Sequence, residues 1–446
     1  MMESPALSNL PTELICAILS SASSADDLLS LVLTSTRVYE SFRAAEEKIL
    51  SSVAHNSLVP HIFSDALITL WCIKVRRSGE LGKISTSSIH VRSLYRIIVQ
   101  TNDDFPPPPQ LSLAELIPFF QYQRVIEGFV SDYASCHIVK YGGPPLTSIE
   151  LYRLRRAFYR YDTFQTTNCF ASRMRKADLG TVVWPTLLEE YAPSPWEVEE
   201  VVCVHQYMVE RLQDVFDRVE EDYIESVVAS THDTAGLGED PDETRWHSEG
   251  VSKWSQDHPS HFFNTDDADD DDDRLFFRTS EKRYHNLMIE YLSTFGLPFL
   301  HDLVNDTNKR STKTKLLQNF VPHPHTLSSS LLDSKNPFEE VKQDLEKGKV
   351  LTFEGDAHNK CNLGWLWANQ YHSSPFYASP CDSDFRSWGY VFWDRARLDH
   401  LNVIKEPCPR VDRNWTPQQR DRGREKSVEQ RLVEMGLIEE RGAISP

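Results

Sequence analysis

Leu10-Pro11-Thr12-Glu13-Leu14-Ile15-Cys16-Ala17-Ile18-Leu19, followed after a short gap by Ser24-Ala25-Asp26-Asp27-Leu28-Leu29-Ser30-Leu31-Val32-Leu33, is the stretch on which the reading of the fold turns. Each half opens on a helix-start signal. Pro11 is harmless in a first turn, where the N–H it lacks would have no partner. Glu13 suits the positive helix end, and Ser24 supplies a capping oxygen for a second helix. Leu14 with Ile18 and Ile15 with Leu19 are two i, i+4 pairs, and Leu28 with Val32 and Leu29 with Leu33 repeat the arrangement. An apolar arc that wide needs two packing partners. A third helix is expected from Arg37 to about Val53, with Tyr39, Phe42, Ile49 and Leu50 apolar on a charged background.

The rest of the 446 residues extends the helical reading. Glycine is scarce, 17 residues against a usual share of about 7%, which favours helices over turn-rich β architectures. Apolar residues at 40% and charged residues at 25% are ordinary for a folded chain, so the fold class is mainly α. Helices are expected from Pro60 to about Trp71, Leu111 to Ile138 and Ser148 to Tyr161. Ser194-Pro195-Trp196-Glu197 gives the clearest start, a serine cap, a proline at the first position and a back-bonding glutamate. Behind it Val198, Val201, Val202, His205, Met208, Leu212, Val215, Phe216 and Val219 recur at helical spacing and read as core. Further helices are expected from Glu281 to about Phe295, stopped at Gly296 with Pro298 beyond, and from Asn336 to near Gly348. Between them Pro106 to Pro109 reads as a stiff extended spacer, although the same run would suit a proline-reading domain. Residues 231–274, ending in the acidic run Asp266 to Asp273, read as a disordered acidic loop. Trp388-Gly389-Tyr390-Val391-Phe392-Trp393-Asp394-Arg395 closes an aromatic-rich C-terminal segment and is expected to run strand, turn, helix.

Charge and motif inventory narrow the function. A formal charge of -19 opposes a nucleic acid backbone, and the short basic stretches Lys74 to Arg77 and Arg153 to Arg156 read as solvated faces. Eight cysteines (16, 72, 136, 169, 203, 361, 381 and 408) without close pairs, and an opening without a cationic-then-apolar leader, set the expectation of a reduced, intracellular chain. Leu111 to Val130 is too often interrupted by charge to cross a membrane. No phosphate loop, zinc-protease pattern, nucleophile elbow or close cysteine pair occurs, so no catalytic residue and no cofactor is expected. His358, Cys361, Cys381 and Cys408 are zinc-competent types, but the later cysteines stand alone, and no metal is expected.

Leu10-Pro11, Asp27-Leu28 and Arg37 with Tyr39 stand in the order and spacing of the F-box pattern, and residues 1–55 resemble an F-box-like module. Thr34 and Ser35 stand where many members have a small residue and a cysteine, and Tyr39 where many have tryptophan. Residues 56–446, with Trp388 to Arg395, resemble the uncharacterised fungal F-box-like group. The resemblance implies a three-helix module that meets a Skp-type adaptor, and through it a cullin scaffold, by way of Leu10, Pro11, Leu14, Ile18, Leu28, Val32 and Tyr39. It implies that residues 56–446 hold an unknown protein target, as in an SCF-type ubiquitin ligase. The alternatives are an interaction scaffold with no ubiquitin role, or an enzyme of unrecognised type in the helical region. Independently, some forty residues are too few to bury their own apolar surface, so the module must lean on something.

Overall fold

A computed structural model describes residues 7–77, 111–139, 144–173, 194–234, 289, 292–293, 295–306, 362–369 and 386–402. These are mostly helical, and no strand occurs among them. The chain forms two compact units, one of Met1–Val209, Ser293–His301 and His325–Trp415, the other of Glu210–Leu292, Asp302–Pro324 and Thr416–Pro446.

The first unit opens with a 3-10 turn, Leu7–Asn9, and helices α1 (Thr12–Ser20), α2 (Ala25–Val32), α3 (Thr36–Ala44) and α4 (Glu46–Ser57). Pro11 occupies the N-cap of α1, the Ser24 hydroxyl accepts from the Asp27 N–H, and Ser35 caps α3 by accepting from the Val38 N–H. The single helix expected from Arg37 to Val53 is in fact two. Ala45 leaves helical geometry at φ -135° and ψ 28°, and Arg43 pairs with Glu46 across the joint. Alanine is the best helix former, so nothing local breaks the helix there. The bend is tertiary, and it lets Val38 on α3 and Ile49 and Val53 on α4 enter one core with Ile15, Leu19, Leu28 and Val32. That core does not close by itself. Phe120 packs against it and the Ser57 hydroxyl donates to Gln123 Oε1, both from α6 (Leu113–Tyr133), which is the support a module this small requires.

Helices α5 (Pro60–Arg77), α6, α7 (Ser148–Arg173) and α8 (Pro195–Thr234) follow, with a one-turn π segment, Ala134–Ile138, extending α6. α5 lies along α7, where Thr69 Oγ1 meets Thr163 Oγ1 at 2.8 Å and the Tyr159 carbonyl at 3.2 Å. Phe129, Tyr133, Phe158 and Tyr207 stack and edge against one another where α6, α7 and α8 meet. Every residue of the predicted α8 stripe is buried, Val198 to Met208 in the first unit and Leu212 to Val219 in the second. In the second unit the Arg218 guanidinium donates to the Val304 carbonyl.

Three boundaries differ from expectation. α7 runs to Arg173 and α8 to Thr234, so Thr231 to Thr234 are helical. Gly296 stops the preceding helix at φ 92° as expected, and Pro298 beyond it lies in the first turn of α9 (Leu297–Asn305), where proline is tolerated. The aromatic segment has no strand. Gly389 turns at φ 67°, Tyr390–Phe392 is a 3-10 turn, and α11 (Arg395–His400) follows α10 (Leu363–Asn369) in chain order. Tyr390, Val391, Phe392 and Trp393 are all buried, a pattern that a buried strand and a buried 3-10 turn share. The tetraproline, the acidic run and the helix expected from Asn336 lie outside the described residues.

Candidate functional site

On α1 and α2 the two i, i+4 pairs per helix divide the work. Ile15 and Leu19 on α1, and Leu28 and Val32 on α2, are buried in the module's core. Leu14 is 51% exposed and Ile18 half-buried, while Leu29 and Leu33 are 56% and 72% exposed. Tyr39 on α3 is 49% exposed. Leu28 and Val32 therefore serve the inside of the module, and the outward pair on α2 is Leu29 and Leu33. The Ser24 cap fixes where α2 begins, and with 3.6 residues per turn the residue after each core position is swung out by about 100°. Pro11 is exposed, and Leu10 is held from behind, its carbonyl accepting from Arg37 Nη2 at 2.9 Å.

A second constellation has the opposite character. Arg153, Arg156 and Arg160 recur on α7 and are buried, which overturns the reading of Arg153 to Arg156 as a solvated face. Only Arg155 of that stretch is partly open, paired with Glu127. Arg156 bonds Glu197 at 2.9 Å and Glu200 at 2.7 Å, and Arg160 bonds the same Glu197 at 3.0 Å and Asp65 of α5 at 3.5 Å. Arg386 forks onto Glu199, which also accepts from the Tyr390 hydroxyl. Arg397 forks onto Glu150 with Nε at 2.7 Å and Nη2 at 2.9 Å, and Arg153 donates to the Phe392 and Trp393 carbonyls.

Two of these carboxylates do double service. Ser194 Oγ and N donate to Glu197 Oε2, closing the helix cap, while Oε1 takes Arg156 and Arg160. Glu150 likewise accepts from the Thr147 N–H while holding Arg397. Thr147-x-x-Glu150 is a capping-box spacing, the one sequence signal that could have pointed to this place. Nothing local could have said that the back-bonding glutamate also meets an arginine two hundred residues away.

The electrostatics follow from burial and pairing. Burial pushes the Glu197 carboxyl up, but Arg160 and Arg156 together hold it below its usual value. For Glu200 burial wins, and its carboxyl lies above the ordinary range despite Arg156. His205, buried beside Gln165, is driven down to about 4 by burial and then by Arg386, so it is neutral at pH 7. Burial pushes the Cys72 thiol up to about 12, which removes thiolate character. Among the described residues no group of three or more histidine, cysteine, aspartate or glutamate side chains could hold a metal ion, and no helix is long and apolar enough to cross a membrane. His358, Cys361, Cys381 and Cys408 lie outside the described residues. No family model, no curated protein and no solved structure matches the chain.

Proposed function

We propose that the chain is a non-catalytic recognition subunit that docks a Skp-type adaptor through its N-terminal helices and holds a protein target with the remainder, within an SCF-type ubiquitin ligase. The observation that carries this reading is the outward set Leu14, Leu29, Leu33 and Tyr39. Of the seven large apolar side chains that are exposed among the described residues, these four fall on or at the end of the first three helices, and exposed apolar side chains concentrated in one short stretch of chain are what an interaction surface offers. The module is also braced, because α4 packs on α6, so a partner bound at α1 and α2 is held close to the chain that carries it. Catalysis then comes from raising the effective concentration of a target near a ubiquitin-charged enzyme.

The test is co-purification of the full chain with a Skp-type adaptor, beside Leu29→Ser/Leu33→Ser and Leu10→Ala/Pro11→Ala. Capture by the natural chain, lost in both variants while their thermal midpoints hold, supports the reading. Absence of capture by the natural chain removes it. Capture without ubiquitylation of any bound protein would favour the interaction scaffold.

A further inference from the structure

Residues 386–402 reach their seat across sequence separations of 187 to 253 residues. Their most adhesive part is Tyr390-Val391-Phe392-Trp393, four large apolar side chains in a row, all buried. Apolar burial is non-directional, so the run still buries apolar area after sliding by a residue, with Gly389 or Asp394 replacing one large side chain, and adhesion alone chooses a register only weakly. The polar contacts do choose. Arg386 must meet Glu199 on α8, the Phe392 and Trp393 carbonyls must meet Arg153 on α7, and Arg397 must meet Glu150 at the start of α7. A further bond is accepted by the Ser387 carbonyl from His137 Nδ1 at 2.7 Å.

Two glycines add steric checks that do not depend on charge. Gly389 sits at φ 67°, and a Cβ there would lie 3.2 Å from both Ile138 Cγ1 and Tyr133 Oη. A Cβ on Gly364 would come within 2.2 Å of the Tyr390 carbonyl oxygen. A one-residue slip would bring Trp388 or Tyr390 to the left-handed position and carry both arginines out of reach. A 3-10 turn advances about 2 Å per residue, which is enough to break a hydrogen bond. Each buried carboxylate left unpaired would reduce the slipped population by roughly a hundredfold or more.

We infer that residues 386–402 form a register lock, a segment seated on α6, α7 and α8 by charge clasps and glycine contacts, while its aromatic run supplies adhesion, with the Tyr390 hydroxyl on Glu199 as a directional side-chain hydrogen bond. The lock selects this seat over a one-residue slip, and the Glu150 to Arg397 clasp is its most buried member.

The test uses the full chain carrying 5-fluorotryptophan, with the Trp388 and Trp393 fluorine resonances assigned by Trp→Phe replacement. Glu150→Gln with Arg397→Met removes the clasp, leaves no unpaired charge and keeps a side-chain oxygen for the Thr147 N–H. The expected result is a thermal midpoint within a few degrees of the natural chain and a Trp393 signal divided between two or more states. One sharp Trp393 signal at unchanged midpoint would overturn the inference. Arg386→Met with Glu199→Gln, which keeps an acceptor for the Tyr390 hydroxyl, repeats the test at the other clasp. If both pairs leave the chain unfolded, the charges are required for folding itself, and the selective role is wrong.

Discussion

The N-terminal helices and the α7, α8 and C-terminal assembly invert each other. In the first, leucines and a tyrosine face outward over a wholly apolar core. In the second, five arginines are buried among aromatics, four against carboxylates and Arg153 against backbone carbonyls. Exposed apolar groups are tolerated when something else covers them, and buried charges when each has a partner. The first region thus leaves apolar side chains exposed, and the second pairs its buried charges within the chain. Their helix caps make the same point. Ser112 and Glu115 form a capping box at the surface with Lys74 beside it, and Ser194 with Glu197 forms one in the interior with two arginines.

If this contrast is right, single substitutions should separate the regions by size of effect. Arg397→Met, which leaves Glu150 buried and unpaired, should cost about 3–5 kcal/mol in a denaturant titration; a loss under 1 kcal/mol would mean water reaches the clasp. Ile15→Ala opens a cavity in the N-terminal core and should cost about 2–5 kcal/mol by the same measurement. His205 supplies a pH signature. Its folded value of about 4 lies below the ordinary 6.5, so the unfolded chain binds the proton first. Stability should therefore be full above pH 6.5 and fall by up to about 3 kcal/mol as pH drops to 4. His205→Gln should flatten that limb in a pH series, and an unchanged slope would assign it to other groups. Lys74→Ala, at the exposed capping box, should change stability by about 0–1 kcal/mol. Leu29→Ser with Leu33→Ser should change it least, by under about 0.5 kcal/mol per site, while removing adaptor capture. A large thermal loss in that pair would place those leucines inside after all.

Much of this is legible in the sequence. The caps at Ser24 and Ser194 sit where the sequence puts them, and the α8 stripe from Val198 to Val219 is buried throughout. The doubled i, i+4 pairs on α1 and α2 call for two packing partners, and one pair on each helix packs in the core while Leu14, Leu29 and Leu33 remain exposed. Which pair on α2 would face out was not legible, because Leu28 and Leu29 are chemically identical and only the packing of α3 and α4 distinguishes them. The break at Ala45 had no local signal, since alanine there is the best of helix formers. The strand expected at Trp388 failed because an unbroken apolar run fits a fully buried 3-10 turn as well as a strand.

The sequence by itself determined a mainly helical chain, the starts of its principal helices and the apolar stripes they carry. These rest on neighbours within four residues, and hydrogen bonding and side-chain spacing at that range can be read from a string of letters. Tertiary structure alone decided that Arg153 and Arg156 are interior and that Glu150 and Glu197 serve cap and arginine at once. A charged side chain is soluble or buried according to whether a partner reaches it, and here the partner of Glu150 arrives from 247 residues further along the chain.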